Sequence, residues 1–320
     1  MQIIRFKAGQ LPELAGTPPA SEETGVFYWL DVQRSEMDWH ESARPWLKMR
    51  LDERHVLDTL NDVHPPYFDS TADYNLLIVR ALCPDCPEEA PTTRAVAFIV
   101  SEHVLVSIRP AGDPAFSRLN HRFLGGQRNA PSSAAMLLYL AIDQLLDALL
   151  ARRDVTSELM SRWQDRLLDP NDVFNDWQAM MRLRSHLRRL EVVSESQNDA
   201  LSEWREQTQL TIDAHLTVRF NDLQEHLRRL YNHALVVQHD IDALIQIFFS
   251  SNTQRTNEIL QFLAIVSAIF LPLNLLAGIF GTNFAQLPLV SVWYGPWVMG
   301  LAMVSLVAGL LVWFRKRRWV

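Results

Sequence analysis

The chain has 320 residues, with 37 Asp and Glu against 30 Lys and Arg, a formal net charge of −7 and only two cysteines. This length suits one large domain or two ordinary ones. An acidic balance with no basic face to neutralise phosphates argues against a nucleic-acid partner, and two cysteines exclude a disulfide framework and suit a reducing compartment. The charge is unevenly spread: residues 259–320 hold four bases and no acid, so every acid lies in residues 1–258. The sequence therefore joins an acidic, water-soluble body to a short apolar part. The acidity of the body suits cations, or is simply a solvated surface.

The N-terminal MQIIRFKAGQLPELAG has no apolar run of signal-peptide length, so the body is expected to stay in the cytoplasm. Residues 1–110 read as strand-rich. GVFYWLDV (25–32) and YNLLIVRAL (74–82) are branched and aromatic runs, and TRAVAFIV and HVLVSIR, parted by Ser101-Glu102, alternate like hairpin arms. A short helix is expected over 52–61, ahead of the breaker His64-Pro65-Pro66. Cys83-Pro84-Asp85-Cys86-Pro87 is the first motif that invites chemistry. A structural zinc needs four ligands and no second C-x-x-C exists. A redox pair would normally open a helix, and the prolines favour a loop between strands instead.

From about Ser132 the apolar residues fall at helical spacing. Proline is absent between Pro170 and Pro272, and glycine between Gly126 and Gly278. Three helices follow, the last expected to run unbroken from about Ala200 to Phe280. On it His215, Asp222, His226, His233 and Asp240 recur in steps of seven and four, nearly on one face. They form either a cation-attracting stripe or the solvated face of a long helix.

Ile259–Asn283, ILQFLAIVSAIFLPLNLLAGIFGTN, opens with enough uncharged residues to cross a bilayer core. Ser267 and Asn274 share a helix face, Pro272 interrupts the ladder, and Gly281-Thr282-Asn283 closes the span. A second apolar run follows Pro296, with Trp293, Tyr294, Trp297, Trp313 and Trp319 at the interfaces and Arg315-Lys316-Arg317-Arg318 after it. The loop between the runs has no Lys or Arg, so both termini are expected on the cytoplasmic side. Two helices cannot enclose a pore, so the polar positions of the first must be satisfied by helix packing, by water, or by neighbouring copies in a symmetric ring. Extending the stripe by steps of three and four gives Thr253, Asn257, Leu260, Ala264, Ser267, Leu271, Asn274 and Gly278. Leu260 and Leu271 are candidate constrictions.

At this point the chain resembles a known family. IFLPLNLLAGIFGTNF (269–284), ending in Gly281-Thr282-Asn283, is similar to the first-span signature of the CorA-type divalent-cation transporters, which include a ZntB-like zinc branch. The C-terminal FRKRRW (314–319) and the order of parts along the chain agree. The resemblance implies an α+β cytoplasmic domain with a long helical stalk, followed by a two-helix transmembrane hairpin, assembled as a homopentameric funnel. The parts are residues 1–130 (α/β domain), 131–258 (helical bundle and stalk), 259–281 (pore-lining span), 282–295 (extracytoplasmic loop), 296–314 (second span) and 315–320 (basic tail).

It also implies an inner-membrane transporter, not an enzyme. Its partners would be itself, lipid and a divalent cation (Mg2+, Zn2+, Co2+ or Ni2+) acting as substrate and as regulator, with no organic cofactor. Gly281, Thr282 and Asn283 would form the outer mouth. Thr282 replaces the methionine of the commonest version, which leaves magnesium and zinc both open. Asp73 and Asp222 are the candidates for a regulatory metal between neighbouring bodies. The competing class is a membrane-anchored sensor or scaffold whose cytoplasmic domain binds metal. Such a tether has no reason to carry Ser267, Asn274 and Gly-Thr-Asn on one span.

Overall fold

The computed structural model describes residues 1–20, 23–83, 86–87, 92–125, 130–169, 172, 174, 176–281 and 292–317. The chain divides into two compact units, Met1–Ile245 and Gln246–Val320.

The first unit is built on a seven-stranded sheet. Its strands are β1 (Gln2–Lys7), β2 (Glu13–Leu14), β3 (Val26–Gln33), β4 (Tyr67–Ser70), β5 (Asn75–Leu82), β6 (Thr93–Val100) and β7 (Val104–Arg109). The order is β2-β1-β3-β7-β6-β5-β4, and every pairing is antiparallel except β3 with β7. The expected strands and hairpin are all present. They were readable because β5, β6 and β7 are buried on both faces and so carry near-continuous apolar runs. Ser101 closes the β6–β7 turn: its amide donates to the Val104 carbonyl at 2.9 Å, and its hydroxyl accepts from the Val104 amide at 3.2 Å.

One face of the sheet packs Tyr28, Leu30, Leu76, Ile78, Ile99 and Val106 against α1 (Trp39–Leu47), which contributes Trp39, Ala43 and Trp46. α2 (Glu53–Leu60) occupies the expected 52–61 region, capped by the Asp52 side chain, which accepts from the Arg54 amide at 2.8 Å. The other face carries Trp29 and Phe98 under Phe116 and Phe123 of α3 (Pro114–Leu124). Between these layers lies a buried polar knot. Arg109 donates from Nε and Nη2 to the two oxygens of Asp31, both at 2.8 Å; Ser107 and Asn120 also donate to Asp31, each at 3.1 Å.

Three long helices complete the chain up to the apolar end: α4 (Ala134–Leu168), α5 (Trp177–Gln207) and α6 (Ala214–Gly281). The expectation of one unbroken helix from Ala200 is corrected here. α5 ends at Gln207, Thr208 is extended (φ −65, ψ 138), and α6 starts only at Ala214. No proline or glycine marks this break. Polar side chains make it by taking over backbone bonds. The Thr208 hydroxyl accepts from the Leu210 amide at 3.2 Å and from Asn75 Nδ2 at 2.7 Å, and Asp213 Oδ1 accepts from the Leu216 amide at 2.6 Å.

The second unit holds the end of α6 and α7 (Gly295–Lys316). From Gln261 onward the more covered residues of α6 are Gln261, Ile265, Val266, Ile269, Pro272, Leu273, Leu276 and Phe280; on α7 they are Gly295, Met299, Met303, Leu306, Val307, Leu310 and Phe314. Each set recurs every three or four residues and so forms a single stripe. In a unit made of two helices, these matching stripes are the seam between them.

Candidate functional site

The apolar end of α6 is chemically unlike the rest of the fold. α4 is also long and apolar enough to span a bilayer, but 61% of its most apolar window is buried, so its apolarity belongs to a water-soluble core. The corresponding window of α6 is 0% buried. Phe262, Leu263, Leu271 and Leu275 are exposed. A surface of this kind requires hydrocarbon or further protein around it.

The uncovered side of α6 is not uniform. One residue turns 100° around a helix, so two residues turn 200°. Ser267, Leu271, Asn274 and Gly278 each follow a covered residue (Ile265, Ile269, Pro272, Leu276) by two. The predicted stripe therefore lies on the face opposite the α7 seam. Asn257, Leu260, Ala264, Ser267, Leu271, Asn274, Gly278 and Gly281 are all exposed. Pro272 lies within the helix and cannot donate to the Ala268 carbonyl, which leaves an oxygen without its helical partner beside Ser267. Among the described residues, a Cβ added at Gly278 or Gly281 would meet nothing within 4 Å, so their packing requires neither glycine. Thr282 and Asn283 lie outside the described residues.

Before the apolar span begins, α6 is polar, and Gln254, Glu258 and Gln261 fall on the line that Ile265, Ile269 and Pro272 continue. Ser250, Thr253, Gln254, Asn257, Glu258 and Gln261 line one open recess. Gln254 donates to Glu258 at 3.1 Å, and the Thr253 hydroxyl donates back to the Phe249 carbonyl at 2.8 Å. Of these the sequence reading singled out Thr253 and Asn257 and missed Gln254, Glu258 and Gln261. Those three recur by four and three among themselves, which was the available signal.

The histidine stripe is neither of its two expected forms. His215, Asp222 and Asp240 are exposed, but His226 and His233 are half-buried. His233 Nε2 lies 3.4 Å from the Ser157 hydroxyl of α4. Burial, with Arg153 adding and Asp154 opposing, pushes His233 below its ordinary pKa. His226 acts on Asp143 of α4. Burial and then Asp147 push that carboxyl up, against the pull of His226, Arg219 and Arg122. The middle of the stripe is thus part of a polar seam between α4 and α6. Asp73 sits exposed in the β4–β5 turn and Asp222 sits exposed on α6. Among the described residues, no three His, Cys, Asp or Glu gather as a metal site.

A large α+β body ending in apolar helices with exposed surfaces, one of them bearing exposed Ser267 and Asn274, is the build of a membrane protein. The family of CorA-like Mg2+ transporter proteins matches residues 24–317. The chain is 21% identical over 268 residues to the cobalt/magnesium transport protein CorA of Thermotoga maritima, covering 83% of this chain and 76% of that one. Among solved structures, the complete CorA magnesium transporter of Methanocaldococcus jannaschii superposes over 100% of this chain and 99% of its own, with a TM-score of 0.85 at 18% identity. The cytoplasmic domain of ZntB from Vibrio parahaemolyticus covers 79% of this chain and 98% of its own, with a TM-score of 0.64 at 14% identity. The chain belongs to the CorA family of divalent metal cation transporters, and it is not an enzyme.

Proposed function

We propose that five copies of this chain form a pore in the inner membrane through which a divalent cation passes, with α6 lining the pore and α7 outside it. The observation that carries this reading is the stripe from Asn257 to Gly281, exposed and opposite the α7 seam. One chain leaves it without a partner, and a ring of copies would gather it around an axis. Two spans, 259–281 and 296–314, with 282–295 outside and both termini cytoplasmic, follow from the charge pattern.

The stripe offers hydroxyl, amide and carbonyl oxygen and no Cys, His or carboxylate. Zinc stripped of water prefers nitrogen and sulfur ligands, whereas magnesium dehydrates reluctantly. The ion therefore enters largely hydrated. Asn283, flanked by Gly281 and Thr282, hydrogen-bonds its waters at the mouth, Asn274 and Ser267 hand it on, and Leu271 and Leu260 form constrictions that close by dewetting. Contacts to the ion's waters do not name the metal, so the substrate is a hydrated divalent cation, Zn2+ or Mg2+, with Co2+ and Ni2+ as further candidates. Asp73 and Asp222, both exposed, would take a regulatory cation only between neighbouring copies.

Reconstituted vesicles measure the reading directly, by uptake of Mg2+, Zn2+, Co2+ and Ni2+ with and without a pH gradient. Asn283→Ala is expected to lower uptake about tenfold or more, in line with the loss of a charge-assisted contact. Uptake equal to the unsubstituted chain would remove the mouth role, and a particle the size of a monomer or dimer in detergent would remove the ring.

A further inference from the structure

Cys83 and Cys86 are the only thiols of the chain, and ion passage makes no use of them. Their placement is specific. The Cys83 amide donates to the Thr92 carbonyl at 2.9 Å, which fixes the first thiol to the end of β5. The Cys86 amide donates back to the Cys83 carbonyl at 3.3 Å. A bond of this kind between residues three apart keeps their Cα atoms within about 7 Å, and a disulfide requires Cα atoms about 4.4–6.8 Å apart. Arg152 of α4 holds the second cysteine from the other side, donating from Nη2 to the Cys86 carbonyl at 3.3 Å.

The two sulfurs also differ in access. Cys83 is 7% exposed, whereas Cys86 is only partly covered. One thiol is partly open to solution and the other, three residues earlier, is buried. That is the arrangement of an attacking thiol and a resolving thiol. A metal reading is weaker, because two thiolates fall short of the four ligands of a structural zinc, and no third candidate ligand joins them among the described residues. A structural staple is weaker too, because closing so short a loop removes little entropy from the unfolded chain.

We propose that Cys83 and Cys86 form a reversible dithiol–disulfide site whose oxidant is a small-molecule disulfide of the glutathione type. Cys86 gives its proton to water, and its thiolate attacks one sulfur of the small disulfide. That S–S bond breaks, the first small thiolate leaves and takes up a proton, and a mixed disulfide remains on Cys86. The Cys83 thiolate, its proton also passed to water, then attacks the Cys86 sulfur. The second small thiolate leaves and is protonated, and the Cys83–Cys86 bond is made. Two protein thiols are oxidised and one small disulfide is reduced to two thiols, so electrons and protons balance.

The test uses the full chain in detergent, oxidised glutathione as the probe, and intact mass with native-state alkylation as the readouts. The unsubstituted chain is expected to lose two hydrogens, retain no glutathione, become closed to alkylation, and return on reduction with dithiothreitol. Cys83→Ala should trap one glutathione on Cys86, and Cys86→Ser should stay unmodified. A wild-type chain that remains open to alkylation, keeps a glutathione adduct, or joins to a second copy overturns the proposal, and so does a Cys86→Ser chain that reacts as fast as Cys83→Ala. The wild-type mass decides the question even if a variant fails to fold.

Discussion

The knot between Asp31 and Arg109 is the point where one substitution should loosen the body most. Asp31 is 4% exposed and Arg109 8%. In Asp31→Ala, Arg109 loses both of its bonds to the carboxylate and keeps only the one from Nη1 to the Pro110 carbonyl at 3.2 Å. Ser107 and Asn120 lose an acceptor as well. Removing one partner of a buried ion pair costs about 3–5 kcal/mol, because the other charge stays buried without its counterpart. At about 1.36 kcal/mol per decade, amides of β3 and β7 should exchange with deuterium roughly 10²- to 10⁴-fold faster where exchange follows local opening. Hydrogen exchange read by mass spectrometry on the full chain measures this strand by strand. Replacing both partners, Asp31→Val with Arg109→Met, should recover most of the loss, since apolar pairs of similar volume often match buried ion pairs. The reasoning is refuted if Asp31→Ala speeds exchange less than about tenfold, or if the double variant is as loose as the sum of its parts.

Three further substitutions probe the body. Gln197 is fully buried and its Oε1 accepts from the Arg80 amide at 2.8 Å, beyond the end of β4. Gln197→Leu should cost about 1–3 kcal/mol by leaving that amide unpaired, read as a lower urea midpoint. Asp143→Asn should raise the thermal midpoint near neutral pH. Burial lifts the folded carboxyl above its unfolded value of about 3.9, so ionisation costs stability at higher pH, and the gain should vanish as pH falls through that value. His233 has the opposite sign. Its folded pKa is depressed, so its stability is complete above about 6.5 and declines as pH falls from there towards the folded value. His233→Gln should flatten the thermal midpoint across that window, and an unchanged slope would rule His233 out as its source.

The elements most legible in the sequence were those whose burial leaves no ambiguity of period. β5, β6 and β7, covered on both faces, read directly as branched runs. β1 and β4 were missed because they are short and partly covered. α1 was missed because Pro45 lies inside it. α3 carried an unused signal: Asp113 before Pro114, with the Asp113 side chain accepting from the Ala115 amide at 2.8 Å. The break at 208–213 was hidden because reading for proline and glycine cannot see a stop made by Thr208 and Asp213. The histidine stripe shows a different limit. Periodicity places His226 and His233 on a face but does not say that α4 lies against it. The stripe on α6 was legible because a helix with nothing but apolar surroundings makes every polar residue conspicuous. The separate polar line of Gln254, Glu258 and Gln261 was less so, since before the apolar run such residues look like any solvated helix.

The empty space around Gly278 and Gly281 has a consequence for how damage at these positions would be detected. A methyl group at either has room among the described residues and meets no backbone or side chain of theirs. Folding yield, melting curves and proteolysis of single chains should therefore pass such variants as normal. If copies close on one another along this face, the cost appears only there, shared by every subunit at once. A mixed population carrying a minority of altered chains would then lose far more function than its share of altered chains.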